Sequence, residues 1–271
     1  GAMIAPPLVV WITGLCGWRG AFMITGAAGF LWVLAFQVFR RFHPQMRGSD
    51  RGQQTAAAGA VSWRVLLRHR QAWVAFVCRF LADPVWYFYV FWIPEFLTGE
   101  RGLSLTAIGA VAWIPFLVSD VSNFATGFIA QRMERSGWSV NKTRKCLMLV
   151  GAAFSPVGVL AVYAESVFWT MAFICLAIFI WMIWSVTVQT LPGDYFPPHA
   201  VASVYGFGGM GSTMGSVVSI WLVGRTLDAT HSYAPVFAGL ALLMPVAFVV
   251  GMALMGRVER VDLGACSKAL P

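Results

Sequence analysis

Two opposite charges lie four residues apart inside an apolar run: residues 78–91 read CRFLADPVWYFYVF, with Arg79 and Asp83 among them. On a helix that spacing puts both side chains on one face, within reach of each other. A pair costs far less in lipid than two isolated charges, and a charge inside a membrane helix normally faces a bundle interior or an aqueous cavity. Three uses stay open. The pair is a permanent packing anchor, or Arg79 is a cavity-facing cation that holds an anionic ligand with Asp83 tuning it, or Arg79 reaches for the membrane surface from roughly 12 Å inside the helix.

Other groups with chemical potential surround this pair. Pro84 removes a backbone donor, so a kink is expected near Phe80. Trp86, Tyr87 and Tyr89 offer flat amphipathic rings that can stack on sugar faces and donate single hydrogen bonds, or serve as packing and an interfacial belt. Glu95, after Pro94, is expected at the water interface without a role. Asp120, with Asn123 one turn on, lies well inside another apolar run and is either a functional or packing hub or a partner of a neighbouring helix end. Gln189 and Trp184 carry polar tips suited to ligand hydroxyls. The segment GFGGMG, residues 206–211, has the spacing of a dinucleotide loop, but no strand precedes it and an apolar helix continues through it. Instead Gly211 and Gly215, with Ser212, Ser216 and Ser219 nearby, form a small-residue face on which another helix can pack closely.

Several chemistries find no support. The 5 Cys show no CxxC spacing and mostly sit in apolar runs, and the 4 His occupy separate loops or helix ends, so neither a disulfide framework nor a metal centre is expected. No acid pair, Ser-His-Asp set or phosphate loop is present. An enzyme is not expected, and no cofactor is called for.

The elements that must position these residues follow from composition. The chain is 59% hydrophobic and 11% charged, with a mean hydropathy of +0.72, whereas soluble domains are about 25% charged. These values imply a multi-pass membrane protein of the all-α class. Apolar runs suited to helices of about 20 residues cover residues 1–14, 20–39, 72–97, 104–130, 146–164, 167–191, 201–224 and 234–256. About eight transmembrane helices are therefore expected, with the first cut near its start.

The net charge of +8 points to orientation rather than to nucleic acid. Placing the segment after the second run in the cytoplasm gathers Arg40, Arg41, Arg47, Arg51, Arg64, Arg68 and Arg70 there. Alternation then adds Arg132, Arg135, Lys142, Arg144 and Lys145 in a second loop, and Arg257, Arg260 and Lys268 in the tail. Only Arg19, Arg101 and Arg225 fall outside, so the C-terminus is expected in the cytoplasm. Residues 43–60, HPQMRGSDRGQQTAAAGA, read as a flexible linker. The expected division is 1–40 for two helices of an N-terminal half, 41–71 for the linker, 72–256 for a C-terminal six-helix half and 257–271 for a tail.

The stretches GAMIAPPLVVW, GWRGAF, TGAAGFLW, FLADPVWYFYVFWIPEFL, RGLSLTAIGAVAWIPFLVSD, GWSVNKTRK, LPGDYFPPHAVASVYGFGGMG and YAPVFAGL resemble, in order, helices five to twelve of major facilitator superfamily transporters. The resemblance is narrowest to the anion:cation symporter group and its hexuronate, or sugar acid, transporters. It implies two six-helix halves around a central cavity, with helices one to four lacking counterparts in this sequence. It also implies proton-coupled uptake of a hexuronate or related organic anion across a bacterial inner membrane, by a monomer whose partners are the anion, protons and the bilayer.

In the family much of the anion-binding chemistry lies on the helices without counterparts here, and the residues present are expected to supply a half-site: Arg79, Asp83, Trp86, Tyr87 and Gln189 as substrate contacts, Asp120 and Asn123 as structural or gating groups, and Gly211 and Gly215 as a sliding contact. The second-half loop signature appears as GFIAQRMERSG, with Gly127 and Arg132 in place but Gln131 where an Asp is expected. That departure is expected to weaken one latching contact, for which Glu134 partly substitutes. The other expectation is a truncated, transport-inactive fragment of such a transporter.

Overall fold

The computed structural model describes residues 4–42, 63–100 and 102–261, and among them every regular element is helical. The basic linker 43–60 lies outside the described residues, except that a short helix α2 (Trp63–Arg68) follows it, as do residues 262–271 of the tail. In chain order the others are α1 (Ala5–Phe42), α3 (Arg70–Gly99), α4 (Leu105–Val111), α5 (Ile114–Arg135), α6 (Val140–Phe154), α7 (Leu160–Tyr163), α8 (Val167–Tyr195), α9 (Pro198–Thr230) and α10 (Ala234–Met255).

Among the described residues, six stretches are long and apolar enough to cross a membrane: Leu8–Phe42, Arg70–Gly99, Ala107–Arg135, Val140–Tyr163, Val167–Tyr195 and Ala234–Met255. The protein is a multi-pass helical membrane protein. The eight expected spans reduce to six by this measure for two reasons. The first two runs form one helix, α1, whose only non-helical residue is Gly17 (φ 70, ψ 172). Helix α9 is 33 residues long, but its glycines, serines and threonines dilute its apolarity.

Helix starts follow from local chemistry. Ser104, Ser139 and Ser166 are N-caps whose side chains accept the amides of Ala107, Lys142 and Trp169, meeting donors that the first turn leaves unpaired. Stops use residues that tolerate a left-handed backbone, His231 at φ 49 after α9 and Gly256 at φ 59 after α10.

Proline sets the interior breaks. Pro115 opens α5, and the single run expected over 104–130 becomes α4 and α5 with a step at Ala112 and Trp113. Pro156 turns the end of α6 into a 3₁₀ stretch, Ser155–Val159. A proline leaves the carbonyl four residues back without its amide partner. For Pro156 and Pro245 those carbonyls belong to Ala152 and Ala241, and the Ser155 hydroxyl donates to both, at 2.9 and 3.3 Å. Helix α3 runs continuously through Pro84 and Pro94.

Helices α3, α4 and α6 to α10 share one core, while α5 packs through a second, small cluster of Ala130, Leu147 and Ile183. The centre of the shared core holds Trp184, Phe88, Phe96, Ile174, Ile178, Leu191 and Met244, all essentially inaccessible. Phe88, Phe96 and Tyr233 converge edge-on around Phe237 or each other, and the Trp181 indole donates to the Ala82 carbonyl at 2.9 Å. Helix α1 stands largely apart, touching α4 where Val10 faces Gly109, and its Trp11, Trp18, Phe22, Phe30 and Trp32 are exposed. An apolar surface of that extent belongs against lipid or other helices.

Candidate functional site

The most extensive helix contact joins α3 to α9, and the small-residue face of α9 makes it. A Cβ on Gly211 would strike the Phe76 carbonyl, and one on Gly215 would strike the Phe80 carbonyl. Phe80 is the residue whose carbonyl Pro84 leaves without an amide. Gly215 thus brings its Cα–H edge against an acceptor that the proline has freed, a recurrent weak contact between close helices.

That close approach lays the α9 backbone against Arg79. Gly208 and Gly209 face the Arg79 side chain, and a Cβ on Gly208 would come within 3.3 Å of its Cδ. The Arg79 Nε donates to the Asp83 carboxylate at 3.0 Å, and the side chains are 16% and 9% exposed. The Ser212 hydroxyl stands beside the same carboxylate. The Arg79 guanidinium lies over the ring of Tyr205, 5.3 Å from its centroid. Its Nη1 is buried and has no hydrogen-bond partner.

Tyr205 extends the set to a third helix. Its hydroxyl donates to Gln189 Oε1 at 2.7 Å, and Gln189 Nε2 donates to Ser185 Oγ at 2.7 Å. Three of the expected residues, Arg79, Asp83 and Gln189, are therefore linked from α3 through α9 to α8. Tyr205, which links them, was not singled out by sequence. Its position one residue before the glycine-rich stretch is the signal that could have found it.

The remaining expected residues lie elsewhere. Trp86 stacks on Trp181 at 5.1 Å and meets Phe116 edge-on, lining an apolar cleft of about 50 Å³ with Tyr89, Ile93, Pro115 and Phe116. Tyr87 stacks on Phe91 at 6.1 Å. Among the described residues neither has a polar contact to Arg79, Asp83 or Gln189. Trp184 is fully buried, with its indole N–H unpaired and its Cβ against Gly151.

Asp120 and Asn123 are exposed on α5 and have no partner among the described residues. The expectation that Asp120 bonds a neighbouring helix end finds no contact there. The polar tie between α5 and α8 is Ser122, whose hydroxyl donates to the Phe179 carbonyl at 2.7 Å.

A second charged centre occupies the basic end of the bundle. Arg144 on α6 holds Asp194 on α8 through Nε at 2.8 Å and Glu134 on α5 through Nη1 at 3.4 Å. Gly127 and Gln131 border a cavity of about 300 Å³ beside this network, together with Thr126, Thr187 and Thr190. Arg132 is exposed and forms no ion pair among the described residues; its carbonyl accepts the Ser136 amide and hydroxyl. At the same end the chain after α10 is pinned from three sides. Lys145 donates to the Gly256 carbonyl at 2.6 Å, Asn141 accepts the Val258 amide, and the Tyr195 hydroxyl donates to the Met255 carbonyl.

Among the described residues no group of three or more His, Cys, Asp or Glu side chains is placed to hold a metal ion. What the Arg79 cluster can do chemically is hold an anion. It presents a guanidinium with an unused donor, next to neutral hydroxyl and amide groups.

Comparison with known proteins agrees with this architecture. The sequence profile of the Major Facilitator Superfamily matches residues 1–220. The hexuronate transporter of Escherichia coli (strain K12) is 31% identical over 257 residues, covering 89% of this chain and 59% of that protein. The galacturonate transporter of Dickeya chrysanthemi is 33% identical over 167 residues, 56% of this chain and 48% of the relative. The D-galactonate transporter of Escherichia coli O6:H1 is 23% identical over 286 residues, 96% of this chain and 65% of the relative. The chain thus spans roughly half to two thirds of the length of these relatives.

Proposed function

The chain belongs to the Major Facilitator Superfamily, and on that premise we propose that it serves secondary active transport of a hexuronate or related sugar acid, with proton-coupled uptake. The observation that carries this reading is the buried, unpartnered Nη1 of Arg79 inside a membrane-spanning helix. A buried donor without a partner costs free energy unless something arrives to use it. A carboxylate is the group that guanidinium geometry suits best.

In this reading Arg79 contacts the substrate carboxylate, Asp83 holds the guanidinium in place, and Gln189 with the neighbouring aromatics meets the sugar. Trp86 and Tyr87 would join that surface only if α3 moved, since Trp86 packs on Trp181 and Phe116 and Tyr87 on Phe91. Asp120, Asn123, Gly127 and Arg132 belong to the gating face, and the Gly211 and Gly215 contact is where α9 shifts against α3. The relatives' names support the substrate class, since they include hexuronate, galacturonate and galactonate transporters. Alternating access comes from one group of helices rocking against another around a midplane site. The C-terminus and the Arg144 end face the cytoplasm of a bacterial inner membrane, following the bias of basic residues, and the working unit is a monomer.

The test is uptake of labelled D-glucuronate into liposomes carrying the protein, with an imposed proton gradient. Arg79→Ala is expected to lower uptake at least tenfold, the loss of a charged contact, and a protonophore is expected to abolish accumulation. Unchanged uptake by Arg79→Ala removes Arg79 from the site, and accumulation that survives the protonophore removes proton coupling.

A further inference from the structure

The polarity of the hydrogen bonds around Tyr205 says more than that an anion fits. The Tyr205 hydroxyl spends its proton on Gln189 Oε1, and the Gln189 amide spends one on Ser185 Oγ, each at 2.7 Å. The first donation crosses from α9 to α8, and the second stays within α8. A phenol oxygen that has given its proton away retains acceptor lone pairs, and no side chain among the described residues donates to it. Tyr205 is 43% exposed, so this acceptor is open.

Beside it stands the opposite function. Arg79 lies over the Tyr205 ring with its Cζ 5.3 Å from the centroid, and its Nη1 is a buried donor without a partner. Asp83 fixes one edge of the guanidinium, while Gly208 and Gly209 leave no side chain in the way. The two unsatisfied groups are a buried cationic donor and an exposed neutral acceptor, the guanidinium lying over the ring that carries the acceptor. A plain carboxylate satisfies only the first. A molecule bearing a carboxylate and a hydroxyl on nearby carbons satisfies both, its O–H donating to the tyrosine oxygen.

We propose that Tyr205 is a specificity-determining residue, whose hydroxyl oxygen accepts a substrate hydroxyl while Arg79 holds the carboxylate, so that the site selects hydroxy acids over unhydroxylated carboxylates. This rests on the reading of Arg79 as the anion contact. Gln189 has a positioning role, because its carbonyl takes the Tyr205 proton and so keeps the phenol oxygen an acceptor. A site built to hydrogen-bond a ligand hydroxyl rejects an analogue lacking it, since the analogue leaves a desolvated polar group unpaired.

The experiment is calorimetric binding to the full chain purified in detergent, with D-glucuronate and cyclohexanecarboxylate as probes. The second offers the same charge on a six-membered ring with no hydroxyl. Wild type is expected to prefer glucuronate. Tyr205→Phe keeps the ring over Arg79 and is expected to shrink that preference about three- to tenfold, the contribution of one neutral hydrogen bond. A change that merely loosened the helices would weaken both ligands together and leave the ratio unmoved.

If Arg79→Ala loses both anions while Tyr205→Phe retains the wild-type ratio, the anion site stands and the role of Tyr205 is overturned. A wild type without preference overturns it too. If Arg79→Ala binds as wild type does, or wild type binds neither probe, the reading of Arg79 falls and this inference falls with it.

Discussion

Arg79 and Arg144 sit at two depths of the same bundle and are used in opposite ways. Arg144 reaches two carboxylates, Asp194 at 2.8 Å and Glu134 at 3.4 Å, on two different helices. Arg79 has one carboxylate, four residues along its own helix, and a buried Nη1 with nothing to bond. The first arrangement spends its charge within the protein and joins α5, α6 and α8. The second leaves a donor unspent and shields it between α3 and α9. A buried cation that ties carboxylates of two other helices together serves structure, and one with a counter-charge only on its own helix and a donor to spare is fitted to receive something.

Removing carboxylates one at a time tests this difference most directly. Asp83→Leu leaves Arg79 buried with no counter-charge and is expected to destabilise the protein by about 3–5 kcal/mol, read as a fall in unfolding midpoint in detergent. Equal stability of wild type and variant would mean that Arg79 finds another carboxylate, and the contrast with Arg144 would be lost.

The next largest effect is at the wall that shields Arg79. Gly215→Val places a branched side chain against the Phe80 carbonyl, with an expected cost of about 1–3 kcal/mol. It is also expected to raise the accessibility of Arg79 to solvent, measured by hydrogen exchange in α3. A tolerated valine would show that α9 sits farther from α3 than the glycine contact implies.

The smallest effect sharpens the comparison from the other side. Asp194→Asn leaves Arg144 its Glu134 counter-charge, so the expected loss is about 1 kcal/mol, that of a weakened hydrogen bond rather than of a stranded charge. Glu134→Gln together with Asp194→Asn leaves no carboxylate and is expected to cost more than the two single changes added, since they share a partner. Strict additivity would mean that Arg144 is not shared between them.

How much of this was legible in the sequence depends on how far apart the partners lie. Arg79 and Asp83 were readable because helical spacing alone joins them, and Gln189 stood out as an amide in an apolar run. The packing face at Gly211 and Gly215 was readable as small, but not which helix it meets. That choice fixes where Tyr205 lands, so Tyr205 stayed hidden. Arg144 and Asp194 are fifty positions apart, and nothing local in either sequence points to the other. In the loop signature Gly127 and Arg132 are the legible positions, yet a Cβ at Gly127 would meet nothing within 4 Å, and the charge pairing is made by Arg144 with Glu134.

The fold divides the same way. Apolar runs gave the helices, and the prolines marked breaks whose form depends on what surrounds them. Pro115 separates α4 from α5, while Pro84 is absorbed within α3, where a glycine on another helix lies against the freed oxygen.

The Ser155 hydroxyl serves the broken rung of two ladders at once, one at Pro156 and one at Pro245. Neither proline can ever restore its own rung, so both helices lean permanently on one hydroxyl for the substitute. The shared atom pins one helix to the other at their two proline sites, with a serine for the pin.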